Sequence, residues 1–160
     1  MNWAELEAAA PEIARRGKER LAGARVAFLG TLRRDGSPRI SPIEPYFAEA
    51  HLLLGAMAWS AKARDLLRDP RCVLHSAVAD PDAGVDELKL YGAAIEVLDP
   101  AVRDALESAW WVGRPLEAAR VFSLEIDRAA VVSWDVENET MTLRRWSPDL
   151  GLRESTHRYP

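Results

Sequence analysis

Little in this chain serves metal, disulfide or triad chemistry. Its 160 residues include one cysteine and three histidines. Cys72 alone forms no internal disulfide and no thiolate metal site. It stands in the apolar run CVLHSAV and reads as a small buried hydrophobe, not a nucleophile. His51, His75 and His157 lie far apart, without HxxxH or HExxH spacing, so no metal site is expected. His51 and His75 read as structural strand residues. The chain lacks GxSxG, Walker and GxGxxG patterns, which leaves hydrolase and nucleoside-triphosphate chemistry without a motif. No apolar run nears the roughly 18 residues needed to span a bilayer. The N-terminus, MNWAELEAAAPEIARRGKERL, lacks the apolar core of a signal peptide. A net charge of −4 and a pI near 5.4 give no global attraction to nucleic acid. These absences predict a cytoplasmic protein with neither a membrane nor a nucleic acid as partner.

What is present fits a globular chain. Hydrophobic residues make up 48% and charged residues 29%. The length predicts a single domain over residues 1–160. Six Trp outnumber three Phe and three Tyr, and Trp110, Trp111, Trp134 and Trp146 fall in the last third. Trp favours half-buried places with a wet edge, so these residues serve either core packing or an interface or ligand site.

The first segment, about 2–21, reads as helical, with Leu6, Ala9, Ile13 and Ala14 on one face and a break at Pro11. Strands are expected over Arg25 to Leu32, Ser37 to Glu44, Ala50 to Met57, Arg71 to Ala79 and Glu87 to Leu98. Asp35-Gly36 marks a tight hairpin, and Pro38 and Pro42 place part of the second strand at an edge. A helix runs from Ser60, its N-cap, to Arg68, and Asp69-Pro70 ends it. Asp80 to Gly84 reads as a mobile polar loop. Asp99 caps a helix from Pro100 to about Trp110, and Pro115 to Ala119 forms another short turn. Short strands over Val121 to Ile126 and Ala129 to Asp135 are split by Asp127-Arg128. Glu139 to Trp146 is the last strand, and about 148–160 is a polar tail. The pattern predicts a mainly β fold with flanking helices, an antiparallel barrel and not a parallel βαβ sheet.

One constellation carries chemistry. Arg39 and Ser41 share a strand face, because side chains alternate. Ser60 and Lys62 open a helix, where backbone N–H groups favour an anion, and Arg64 follows. Converged, these groups would hold the phosphate of a small cofactor. Taken apart, Lys62 and Arg64 are surface charges and Ser60 is only a cap.

At TLRRDGSPRISPI, LLLGAM and SAKARDLLRDPRCVL the chain resembles the flavin-binding split-barrel superfamily named after pyridoxamine-phosphate oxidase. The resemblance runs from about Glu19 to Trp146 and takes in LKLYGAAIEVLD and FSLEIDRAAVVSW. It implies a six-stranded split barrel that forms a homodimer, with a flavin in each of two clefts between subunits. By position, Ser60 and Lys62 take the phosphate. Arg39, Ile40, Ser41 and Pro42 lie along the ring and ribityl side, and Gly55 and Met57 face the cofactor. The partner subunit adds groups near Leu88 to Tyr91. Asp65 stands where many members have Asn, and Ser60 where some have Arg. The ending RESTHRYP does not match the oxidase's substrate segment, which argues against pyridoxamine phosphate as substrate. The resemblance implies an FMN-dependent oxidoreductase acting on a small molecule, with no catalytic side chain identified. The alternatives are a deazaflavin-dependent reductase, a flavin or haem carrier or sensor with His75 or His51 as axial ligand, and a barrel that has lost its cofactor.

Overall fold

The computed structural model describes residues 1–78, 84–109 and 118–159. Two helices open the chain, α1 (Trp3–Ala9) and α2 (Pro11–Ala24). Asn2 caps α1 by accepting from Glu5 N at 3.0 Å, and Glu5 returns a bond to Asn2 N at 2.7 Å. Pro11 starts α2, where its missing N–H costs nothing. Trp3, Leu6, Ala10, Ile13, Ala14 and Leu21 point into the core. Ala9, expected on that face, is exposed, because α1 ends there and Ala10 turns inward instead.

Strands β1 (Ala27–Leu32) and β2 (Pro38–Ile43) form the expected hairpin. Its turn places Gly36 at φ +82°, which suits glycine. Asp35 accepts from Ser37 N at 3.0 Å and from its hydroxyl at 2.7 Å, which pins the turn. Next come β3 (Pro45–Ala48), β4 (His51–Met57), α3 (Ala61–Arg68) and β5 (Arg71–Ser76). Then follow β6 (Glu87–Glu96), α4 (Pro100–Ala109), β7 (Ala119–Asp135), β8 (Thr140–Ser147) and β9 (Gly151–Arg158). The loop expected at Asp80 to Gly84 lies outside the described residues apart from Gly84. The turn expected at Pro115 to Ala119 lies mostly outside them, as do Trp110 and Trp111.

All ladders are antiparallel, in the order β2-β1-β5-β6-β7-β4-β3, with β8 and β9 added beside β7. β2 and β4 approach each other without ladder pairing, so six strands curl into a barrel split at that seam. β3, β8 and β9 bring the sheet to nine strands. β3 occupies the short stretch between two of the expected strands, where none was expected. The polar tail is not irregular: it contains β9, which pairs with β8 from Ser147↔Gly151 to Thr140↔Arg158.

The two short strands expected near Asp127 are one 17-residue strand, β7. Tyr91 pairs with Arg128 and Gly92 with Ile126, so Asp127 is the extra residue of a bulge. A Cβ on Gly92 would sit 1.9 Å from Glu125 O, so only glycine lets the strands meet here. The core fills the barrel with Leu29, Leu52, Leu54, Leu74, Leu88, Leu90, Phe122 and Leu124. Burial of each leucine contributes about 1.5–3 kcal/mol of transfer free energy.

Candidate functional site

Three elements meet at the open seam: the end of β2, the end of β4 and the start of α3. Ser60 caps α3 in extended conformation (φ −69°, ψ 151°), and its hydroxyl accepts from Ala63 N at 3.3 Å. It is 6% exposed. That role uses an oxygen lone pair and leaves the hydroxyl proton free to donate. One residue into the helix, the Lys62 ammonium crosses the seam and donates to the Pro42 carbonyl. Burial pushes the Lys62 pKa down from its ordinary value, and the charge of nearby Glu44 opposes that shift only in part. The seam therefore holds a partly desolvated cation at a helix N-terminus whose first turn has no acidic residue.

The β2 residues divide between two faces. Arg39 and Ser41 lie opposite Thr31 and Leu29 and turn toward the barrel interior. Ile40 and Pro42 lie opposite Gly30 and Phe28 and turn outward. Arg39 does not converge on Lys62. Its Nε donates to Asp65 Oδ2 at 2.7 Å, and Thr31 Oγ1 donates to the same oxygen at 3.1 Å. Arg68 NH1 approaches Asp65 Oδ1 at 3.4 Å and its NH2 donates to Leu32 O. Burial alone would raise the Asp65 carboxyl; the Arg39 and Thr31 hydrogen bonds and the Arg39 charge outweigh it and hold it below the ordinary value. Asp65 thus clamps α3 to β1 and β2. Beside it, Arg33, Arg34, Arg39, Arg64 and Arg68 line an open depression of about 670 Å³.

Gly55 is buried on β4 opposite Val121, and Met57, 45% exposed, follows on the same face. Trp59, between β4 and the cap, is 71% exposed. The outward face continues in register from Pro42 through Phe28 and His75 to Lys89, and from Ile40 through Gly30 and Val73 to Tyr91. Ile40 is 76% exposed and Phe28 43%. Lys89 and Tyr91 thus share a sheet face with Ile40 and Pro42.

Each histidine and the cysteine has a local role. His51 Nδ1 lies 2.9 Å from Ser123 Oγ, and His75 Nδ1 2.6 Å from Ser76 O. His75 Nε2 faces Glu87 Oε2 at 3.7 Å. Burial pushes the Cys72 thiol up to about 12, which suits packing and not nucleophilic attack. Among the described residues, no three of His, Cys, Asp and Glu gather as a metal site. No described helix is long and apolar enough to cross a membrane. The Arg39–Asp65–Thr31 clamp was not foreseen from sequence; its one signal is a lone acid in the basic helix AKARDLLR.

Solved structures share this fold. An FMN-binding, pyridoxamine 5'-phosphate oxidase-related protein of Nostoc punctiforme superposes with TM-score 0.61 at 15% identity, covering 96% of this chain and 97% of that one. A haem-binding protein of Mycobacterium smegmatis gives 0.60 at 16% identity, covering 92% and 88%. A Clostridium acetobutylicum protein related to general stress protein 26 gives 0.64 at 13% identity, covering 84% and 94%. No curated protein sequence matches significantly. The sequence model of the family described as pyridoxamine 5'-phosphate oxidase matches residues 13–133, and the chain belongs to that family.

Proposed function

We propose that the protein binds FMN at the seam between β2 and the start of α3, and that it is an oxidoreductase acting on a small organic molecule. The observation that carries this reading is the Lys62 ammonium, held half-desolvated at the α3 N-terminus against the β2 main chain. A cation in that state gains from a dianionic phosphate more than a fully hydrated one does. Lys62 spends one of its three protons on Pro42 O, and Ser60 keeps its hydroxyl proton, so both retain capacity for phosphate oxygens. The residues present fit the group.

When bound, the flavin would supply hydride or electron transfer itself. The chain would orient it with Lys62 and Ser60 at the phosphate and with the β2 backbone from Arg39 to Pro42 along the ring and ribityl arm. Gly55 offers a close backbone approach, and Met57 and Trp59 offer exposed apolar surface to keep water from the ring. The outward face with Ile40, Pro42 and Phe28 suits a two-fold partner, and that partner's Lys89–Tyr91 stretch would complete the cleft. Deazaflavin shares the phosphate-bearing arm and is the second occupant this site suits.

Titration of the purified protein with FMN, deazaflavin and haemin in parallel, by absorbance and fluorescence, tests the proposal. Quenched flavin fluorescence with saturable 1:1 uptake is expected. A Soret band with haemin and no flavin uptake overturns the flavin reading. Light scattering that reports a monomer at micromolar concentration overturns the shared cleft.

A further inference from the structure

The depression of about 670 Å³ between the β1–β2 turn and α3 is strongly cationic. Arg33, Arg34, Arg39, Arg64 and Arg68 line it, with Asp35, Asp65 and Ala61. Five arginines against two aspartates leave three positive charges unmatched, on a chain whose net charge is −4.

Both acids are already engaged. Asp35 accepts from the Ser37 hydroxyl and amide inside the turn. Asp65 is occupied by Arg39 and approached by Arg68. Arg33, Arg34 and Arg64 remain. All three are exposed, and among the described residues none has an ion pair or a side-chain hydrogen bond. Arg33 acts on Asp35 through its charge alone.

The depression lies apart from the Ser60–Lys62 seam. Ala61, Arg64, Asp65 and Arg68 recur at i, i+3, i+4 and i+7 and share one face of α3. At 3.6 residues per turn, Lys62 and Arg64 stand about 200° apart round the helix, so their side chains leave it on nearly opposite sides.

We propose that this depression binds an oligophosphate, inorganic or carried on a nucleotide, clasped between Arg33 and Arg34 on the turn and Arg64 on the helix. Guanidinium forks match phosphate oxygens in pairs. Three free guanidiniums on two elements suit a group with several negative charges better than a single phosphate. Ser37 with Asp35 pins one arm of the clasp, and the Asp65 contacts fix the other, so little ordering is left to binding. Ala61 is the one apolar residue of the lining, so phosphate groups supply the recognition. The proposal does not rest on the flavin reading.

Isothermal titration of the protein as purified with inorganic pyrophosphate, ADP, orthophosphate and sulfate tests it. Pyrophosphate is expected to saturate 1:1 and to bind at least about tenfold tighter than orthophosphate or sulfate. ADP that binds as pyrophosphate does assigns the recognition to the phosphates alone, and ADP that binds more tightly identifies a nucleotide as their source. The Arg33→Gln/Arg34→Gln protein, whose turn is still pinned by Asp35 and Ser37, should lose at least about tenfold in pyrophosphate affinity and keep its FMN titration unchanged. Pyrophosphate that binds no tighter than sulfate, or with undiminished affinity in the double variant, overturns the proposal. Displacement of pyrophosphate by FMN also overturns it, because the anion would then sit on Lys62.

Discussion

Asp65→Asn is the sharpest test of how the seam is held. The substitution keeps shape and removes charge at a side chain only 5% exposed. Thr31 and Arg39 can both still donate to an amide oxygen in the Oδ2 position, so the loss falls on the charge in the Arg39 bond at 2.7 Å and on the weaker Arg68 approach at 3.4 Å. A hydrogen bond between charged groups is worth about 1.5–3 kcal/mol, and the 28% exposure of Arg39 moves the expectation toward about 2 kcal/mol. That is about 4–8 °C in thermal midpoint for a chain of this size. The effect has a pH signature. The folded carboxyl lies below its ordinary value of 3.8. Its stabilisation is therefore fully present above the unfolded value and is lost as pH falls through the folded one. Urea unfolding of both proteins at pH 7 and again below pH 3 measures this. The difference should be near 2 kcal/mol at neutral pH and shrink in acid. A difference that is the same at both pH values, or under about 0.5 kcal/mol at pH 7, refutes the clamp.

Further outcomes follow from single contacts. Gly92→Ala places a methyl 1.9 Å from a backbone oxygen of β7, so the bulge must reopen. A loss of about 3 kcal/mol or more is expected in chemical denaturation, and an unchanged midpoint counts against the bulge. Cys72, partly buried and with its thiol pushed up to about 12, should react with a disulfide reagent at pH 8 far more slowly than an ordinary free thiol. Rapid labelling of the native protein would show that the thiol is accessible. Glu154→Ala removes the nearer of two carboxylates on Arg144, leaving Glu12 at 3.3 Å, and should lower stability by no more than about 1 kcal/mol through β8–β9. Amide hydrogen exchange at Thr142 and Arg144 would rise with it.

The parts of the fold set by local chemistry were legible in the sequence. Pro11 divides the N-terminal helices, Asp35-Gly36 turns the first hairpin, and Ser60 caps α3. Strands whose neighbours lie far along the chain were harder to read. Asp127-Arg128 looks like a turn, but its side chains are exposed at a bulge inside one long strand. Pro45 to Ala48 carries too few residues to show a period, and its pairing with β4 comes from the turn between them. β9 is polar on both faces, so no alternation marks it. Cross-strand pairs give it register, Arg144 with Glu154 and Thr142 Oγ1 with Thr156 Oγ1 at 3.1 Å. The approach of Lys62 to Pro42 fits the anticipated meeting of β2 and α3. The diversion of Arg39 onto Asp65 was not visible, because two residues 26 apart meet only after the barrel curls. The gathering of Arg64 with Arg33 and Arg34 likewise exists only once α3 packs against the first hairpin.

The most direct measurement compares FMN with riboflavin, which differ only in the phosphate. If the ammonium on α3 holds that phosphate, the native protein should bind FMN at least about tenfold tighter than riboflavin, and Lys62→Ala should bring the two affinities together. Equal affinities in the native protein, or a preference for FMN that survives Lys62→Ala, would contradict the account.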